Sequence, residues 1–103
     1  MINQILTATG IPFKETMFSR VPTKTYAVYF DDVTADGPDD SNRVFTHDIT
    51  IELYEPTPDA AVEALLEAEL NARGIKWTKQ SRYWIPEAQR YQVIYEFTYI
   101  VKT

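Results

Sequence analysis

The sequence contains no cysteine in its 103 residues. That removes disulfides, thiolate nucleophiles and cysteine-ligated zinc or iron–sulfur centres. Glycine is almost as scarce, with three in all, so no glycine-rich loop can be drawn to cradle a phosphate. Ser19, Ser41 and Ser81 likewise lack the glycine-rich elbow that exposes a catalytic serine. Positive charge is short: ten Lys and Arg stand against fifteen Asp and Glu, a formal net charge of −5. The ten are scattered, whereas binding to nucleic acid needs clustered cations, and the overall field repels both phosphate backbones and anionic membranes. No stretch approaches the roughly 20 apolar residues that cross a bilayer, and the opening Met1–Leu6 has neither the basic start nor the apolar core of a signal peptide. The expectation is a soluble, intracellular, single domain over residues 1–103, with neither a specific nucleic acid nor a membrane as partner.

What is plentiful is aromatic and β-branched residues in alternation. Ile2, Ile5 and Leu6 first mark a short amphipathic helix ending at Gly10. Ile11-Pro12 breaks it, since a residue before proline avoids the helical region, and residues 13–22 read as irregular or partly extended. Residues 25–31 form a strand with Tyr26, Val28 and Phe30 on one face. Residues 32–42 are rich in Asp, with Gly37, Pro38 and Ser41 among them, and read as a loop. Alternation resumes at Val44, with Phe45, His47, Ile49, Ile51 and Leu53 on one face and Thr46, Asp48, Thr50 and Glu52 on the other. Thr57-Pro58 then offers an N-cap and a first-turn proline for a helix from Pro58 to Ala72, buried through Val62, Leu65, Leu66 and Leu70. A weaker strand over residues 75–83 and a strong one over residues 89–102 complete the chain. The order α-β-β-α-β-β predicts an α+β domain: a single antiparallel four-stranded sheet with the helices packed on one face.

Two places invite chemistry. Asp32-Val33-Thr34-Ala35-Asp36-Gly37 begins as a calcium loop of the EF-hand kind begins, but such a loop closes with a bidentate Glu at its twelfth position, where this sequence has Arg43. A loop tip that touches a neighbouring subunit fits better, which makes Asp32, Asp36, Asp39 and Asp40 the candidate interface residues. His47 is the only histidine. A base or metal ligand could be built on it with Asp31 or Asp48 nearby, but it lies on the apolar face of its strand, where a packed histidine with one satisfied hydrogen bond is the ordinary case. No cofactor and no catalytic or metal site is expected. The tyrosines at 91, 95 and 99 would make a stacking platform only with a basic lattice around them; they read instead as core beneath the helices.

Several segments taken in order carry a resemblance. Gly10-Ile11-Pro12 follows a short helix; the aromatic strand Tyr26-Ala27-Val28-Tyr29-Phe30 leads to the acidic stretch with Ala35-Asp36. Ile51-Glu52-Leu53-Tyr54 precedes a glutamate-rich helix that runs into Gly74-Ile75, and Tyr91-Gln92-Val93-Ile94-Tyr95-Glu96-Phe97 closes the chain. This succession resembles a family of small phage and prophage proteins, mostly from Gram-positive hosts, known as minor capsid or tail-completion proteins. The resemblance implies a structural, non-enzymatic subunit similar to tail terminators: a homo-oligomeric ring, typically a hexamer, at the head–tail junction. Its partners would be the tail-tube protein and the connector proteins, and its place the tail or neck of the virion after assembly in the host cytoplasm. The rival reading is a ferredoxin-like small-molecule-binding module or small enzyme using His47.

Overall fold

A computed structural model describes residues 1–37 and 43–103. Along the chain run α1 (Ile2–Ala8), β1 (Phe13–Glu15), β2 (Tyr26–Asp36), β3 (Val44–Glu55), α2 (Ala60–Ala72), β4 (Trp77–Lys79), β5 (Tyr83–Ile85) and β6 (Arg90–Lys102). The sheet is not the four-stranded antiparallel one that the sequence predicts. It has six strands in the order β1-β2-β3-β6-β4, with β5 also on β6, and β1 runs parallel to β2.

Both extra strands come from segments with weak period. Residues 13–15 are too few to show alternation, and they pair because Gly10, at φ +74°, turns the chain out of α1 and back along β2. The segment expected as one strand over residues 75–83 is split. Trp77 to Lys79 pair with Phe97 to Tyr95, and Tyr83 to Ile85 pair with Gln92 to Arg90. Between them three residues, 80–82, face only two, 93 and 94. This is a β-bulge, one residue too many on one strand, and it reverses which face the later side chains occupy.

The middle of the sheet is unbroken. β2 pairs with β3 from Tyr26↔Tyr54 to Asp36↔Val44, and β3 pairs with β6 from Val44↔Lys102 to Glu55↔Tyr91, without a shift in register. Ala27, Tyr29, Ile49, Ile51, Leu53, Val93, Tyr95 and Phe97 turn one face toward Ile5 and Leu6 of α1 and Leu66 and Leu70 of α2, and together they form the core. The face of β2 that enters this core is therefore the Ala27–Tyr29 one. Tyr26 and Val28 are buried too, on the opposite side, where Tyr26 stacks on Tyr54 at 5.1 Å and meets Phe18 edge-on at 5.3 Å.

α2 starts two residues later than Thr57-Pro58 implies. Asp59 is the N-cap: its carboxylate accepts from the Val62 N–H at 3.2 Å and from the Thr25 hydroxyl at 2.7 Å. A carboxylate there gains from the helix dipole as well as the cap, and Thr25 fixes it to the start of β2. The buried stripe also differs from expectation. Leu66 and Leu70 are fully buried and Val62 packs at the margin, but Leu65 is 49% exposed and Glu63 takes a buried place. Leu66→Ala should accordingly cost about 2–5 kcal/mol, and Leu65→Ala less than about 0.5 kcal/mol. Denaturant melts of the two variants check this; equal losses would contradict the assignment of faces.

Candidate assembly surface

The helical layer ends where the long strands do not. Residues 32–36 of β2 are all exposed, no residue in 44–48 of β3 is buried, and none is buried in 98–102 of β6. These three lengths form a ribbon beyond the core. The molecule measures 48 × 29 × 22 Å with a radius of gyration of 15.1 Å, above the roughly 13 Å of a compact chain of this length. Among the described residues both lateral edges of the ribbon lack a partner strand: β1 ends its pairing at Tyr29 and β4 ends at Phe97.

The acidic residues expected in a loop lie partly on this ribbon. Asp32 pairs across from Asp48, and Asp36 is the last residue of β2, across from Val44. Asp36 accepts a hydrogen bond from the Gly37 N–H at 2.8 Å. Asp39 and Asp40 lie outside the described residues. The loop boundary at residue 32 is thus corrected, because β2 stays paired to Asp36. The reason is cross-strand partnership: Val33, Thr34 and Ala35 find His47, Thr46 and Phe45 opposite, and pairing overrides the turn-forming composition. In an extended strand the side chains at 32, 34 and 36 share a face but stand about 6–7 Å apart in succession, so they do not wrap an ion.

His47 sits on the helix-side face, half-buried. Its Nδ1 lies 2.9 Å and 3.1 Å from the two carboxylate oxygens of Asp31, and its ring stacks on Tyr99 at 4.5 Å with 4° between the planes. The Tyr99 hydroxyl is held above its usual pKa by burial and by the Asp31 charge. An imidazole oriented by a carboxylate is a known catalytic device, but a ring flat against a tyrosine is a packing arrangement. Neither of the two surface grooves described below is lined by His47.

A second polar cluster went unread in the sequence. Glu63 and Glu67, one turn apart on α2, both take Lys79 at 2.9 and 2.7 Å, and Glu63 also takes Arg82 at 2.7 Å. Tyr95 donates its hydroxyl to Glu67 at 2.6 Å; burial first, and then this bond, raises its pKa. Burial alone would raise the Glu63 carboxyl, but hydrogen bonds with Glu55, Arg82 and Lys79 outweigh it and hold the group below its usual range. Glu55, at the end of β3, is completely buried. Its Oε1 accepts from the Asp59 N–H at 3.1 Å and from Arg82 Nε at 3.4 Å. Burial first, and then the hydrogen bond shared with Glu63, pushes its pKa up to about 7. The buried Oε2 of Glu55 accepts no hydrogen bond; carried as the neutral acid, it can donate to Glu63. The bulge makes this cluster possible, because in regular alternation Arg82 would point to the other face.

Among the described residues that other face is covered only at one end. Residues 16–25 fold over it, with Phe18 on Tyr26, and Arg90 holds the segment by donating to the Pro22 and Thr23 carbonyls at 3.3 Å each. A shallow groove of about 210 Å³ runs along Met17, Phe18, Tyr26 and Tyr54. There the Tyr54 hydroxyl, pushed up to about 12 by burial and by its bond to Glu52, donates to Glu52 at 2.8 Å. A wider groove of about 620 Å³, lined by Asp48, Thr50, Lys76, Thr78, Glu96 and Thr98 among others, opens beside the start of β4. Among the described residues no group of three or more His, Asp or Glu side chains is placed to hold a metal ion.

No protein-family model matches the chain, and no curated protein matches it in sequence. Among solved structures, a chain of the virion of a native gene transfer agent particle superposes on it with a TM-score of 0.64. The alignment covers 96% of this chain and 84% of that one, at 16% sequence identity. The fold is shared with a virion chain. At this identity the likeness extends to the fold and not to individual side chains.

The Glu55–Glu63–Arg82 cluster had one sequence signal: Glu63 and Glu67 lie on the same side of α2 as the buried Leu66 and Leu70, where purely apolar residues are the norm. The pH response of Glu55 has a definite sign. Its folded pKa near 7 lies above its ordinary 4.5, so its contribution to stability is complete below about 4.5 and lost as pH rises through 7. The lowered Glu63 contributes oppositely, with loss only as pH falls below 4.5. Glu55→Gln keeps the shape of the neutral acid, and the variant should equal or exceed the parent in urea midpoint at pH 8 while differing little at pH 5. A variant weaker than the parent at pH 8 would show that Glu55 works as a buried anion.

Proposed function

We propose that the protein is a structural subunit of a phage or phage-like virion, in the finer reading a tail-completion, tail-terminator-like subunit that works in a ring at the head–tail junction. The observation that carries the coarse reading is the fold shared, over 96% of this chain and 84% of the other, with a component of a gene transfer agent virion. The ring, with six copies by family resemblance, and its neighbours, the tail-tube and connector proteins, rest on the sequence resemblance together with the shape. A ribbon with two open edges beyond a packed core is built to be completed by other chains, since unpaired strand edges seek partners. The net charge of −5 suits a part that DNA passes without sticking.

The enzyme reading has less to stand on. His47 and Asp31 form a pair, but Tyr99 covers the imidazole face and neither groove reaches it. We read the pair as a packing and orienting contact at the root of the ribbon.

The test is genetic complementation in a phage or prophage that carries this gene. Particles made without the subunit should accumulate as filled heads and separate tails, and the parent gene should restore joined particles. Asp32→Asn with Asp36→Asn changes two exposed positions, each expected to shift stability by less than about 0.5 kcal/mol, so the double variant should melt like the parent and yet restore fewer joined particles. Normal joined particles in the complete absence of the subunit would end the head–tail reading.

A further inference from the structure

We propose that copies of this chain join head-to-tail by strand addition, residues 98–102 of β6 in one copy pairing in parallel with residues 32–36 of β2 in the next. The proposal rests on the assembly reading above and names its contact. Register makes the match specific. Asp36, Val44 and Lys102 lie in one row across the sheet, as do Ala35, Phe45 and Val101, then Val33, His47 and Tyr99, then Asp32, Asp48 and Thr98. β2 and β6 both run antiparallel to β3 and so run the same way. A neighbour set beside β6 in the same orientation and at the same height brings its Asp36 level with Lys102, on the same face. Both residues are exposed, and among the described residues Asp36 binds the Gly37 N–H through one carboxylate oxygen. On the opposite face the exposed Val33 of the neighbour comes beside Tyr99, and Ala35 beside the exposed Val101.

Alternative pairings fit less well. Two β2 edges set together about Thr34 would oppose Asp32 of each copy with Asp36 of the other, and like charges across strands repel. Two β6 edges related by a two-fold axis would cover Ile100 but leave the acidic β2 edge of each copy open. The head-to-tail contact covers both edges with one interface. It also supplies curvature. On the core side of the ribbon the sheet is widened by β1 next to β2 and by β4 next to β6, so copies joined at their ribbons are wedged apart at their bodies. A heterologous contact repeated with a constant rotation closes into a ring where that rotation divides a full turn, and runs on as a filament where it does not.

The cysteine-free sequence makes the test clean. Asp36→Cys and Lys102→Cys are prepared as separate proteins, mixed and mildly oxidised, and the products are weighed, alongside native mass measurement of the parent. Within one copy the two positions are two strand spacings apart, about 9–10 Å, beyond the roughly 7 Å between Cα atoms that a disulfide tolerates, so any 36–102 bond joins two copies. The mixed 36–102 disulfide should predominate over either homodisulfide. Asp36→Lys should abolish the parent's oligomer and Lys102→Asp added to it should restore it. A dominant homodisulfide from Lys102→Cys, or from Ile100→Cys alone, would overturn the proposal in favour of a two-fold pair. Rings in the parent without a 36–102 bond would overturn this contact while leaving the ring reading intact, and a parent that stays monomeric with no cross-link would overturn it for the free subunit. The head–tail role stands or falls separately, on the particle assay.

Discussion

Everything else in this molecule hangs on the unbroken ladder of β2, β3 and β6. Because register never slips between Tyr26 and Asp36 or between Val44 and Glu55, the same alternation that buries Ile49, Ile51 and Leu53 under the helices continues outward past them. A one-residue slip would turn every later side chain to the wrong face. The ladder therefore fixes two things together: a core at one end, where α1 and α2 lie across it, and a bare ribbon at the other. Among the described residues short strands guard the edges only beside the core.

Where the ladder's edge is guarded, a single extra residue has a large effect. The bulge at residues 80–82 lets Arg82 reach Glu55 and Glu63, while Lys79, before the bulge, reaches Glu63 and Glu67 from the same face. Two cations thus serve three carboxylates under α2, and the deepest of them, Glu55, is eased toward its neutral form. Buried charge is costly unless paired, so this end of the sheet is held by specific partners and not by apolar packing alone. Asp59 links the cluster to the N-terminus of α2, accepting from Thr25 and Val62 while its own N–H goes to Glu55.

Long periodic segments could be read from the sequence, and short or interrupted ones could not. Ile2, Ile5 and Leu6, the odd-numbered face of β3 from Ile49, and the face of β6 from Val93 to Phe97 are where alternation places them. β1 was hidden because three residues hold no period. Residues 75–83 read as one strand, yet they pair only through β4 and the first residue of β5, because a bulge is a matter of pairing partners, invisible in one strand's own residues. Leu65 is exposed and Glu63 buried because the face of α2 on the sheet runs through 63, 66 and 70, where Glu63 meets Lys79 and Arg82. Of the candidate interface residues, Asp32 and Asp36 belong to the ribbon and Asp39 and Asp40 lie beyond what is described. The acidic composition fits the exposure of residues 32–36, but it concealed that β2 persists to Asp36, since its partner β3 supplies the order.

Amide hydrogen exchange tests most directly the proposal that other chains complete the ribbon edges. The comparison is between dilute isolated subunit and the subunit within assembled particles, followed at residues 32–36 and 98–102. Edge amides should exchange quickly in the isolated protein and become strongly protected in the particle, while the amides of β3 stay protected in both. Edge amides that exchange equally fast in both states would contradict it.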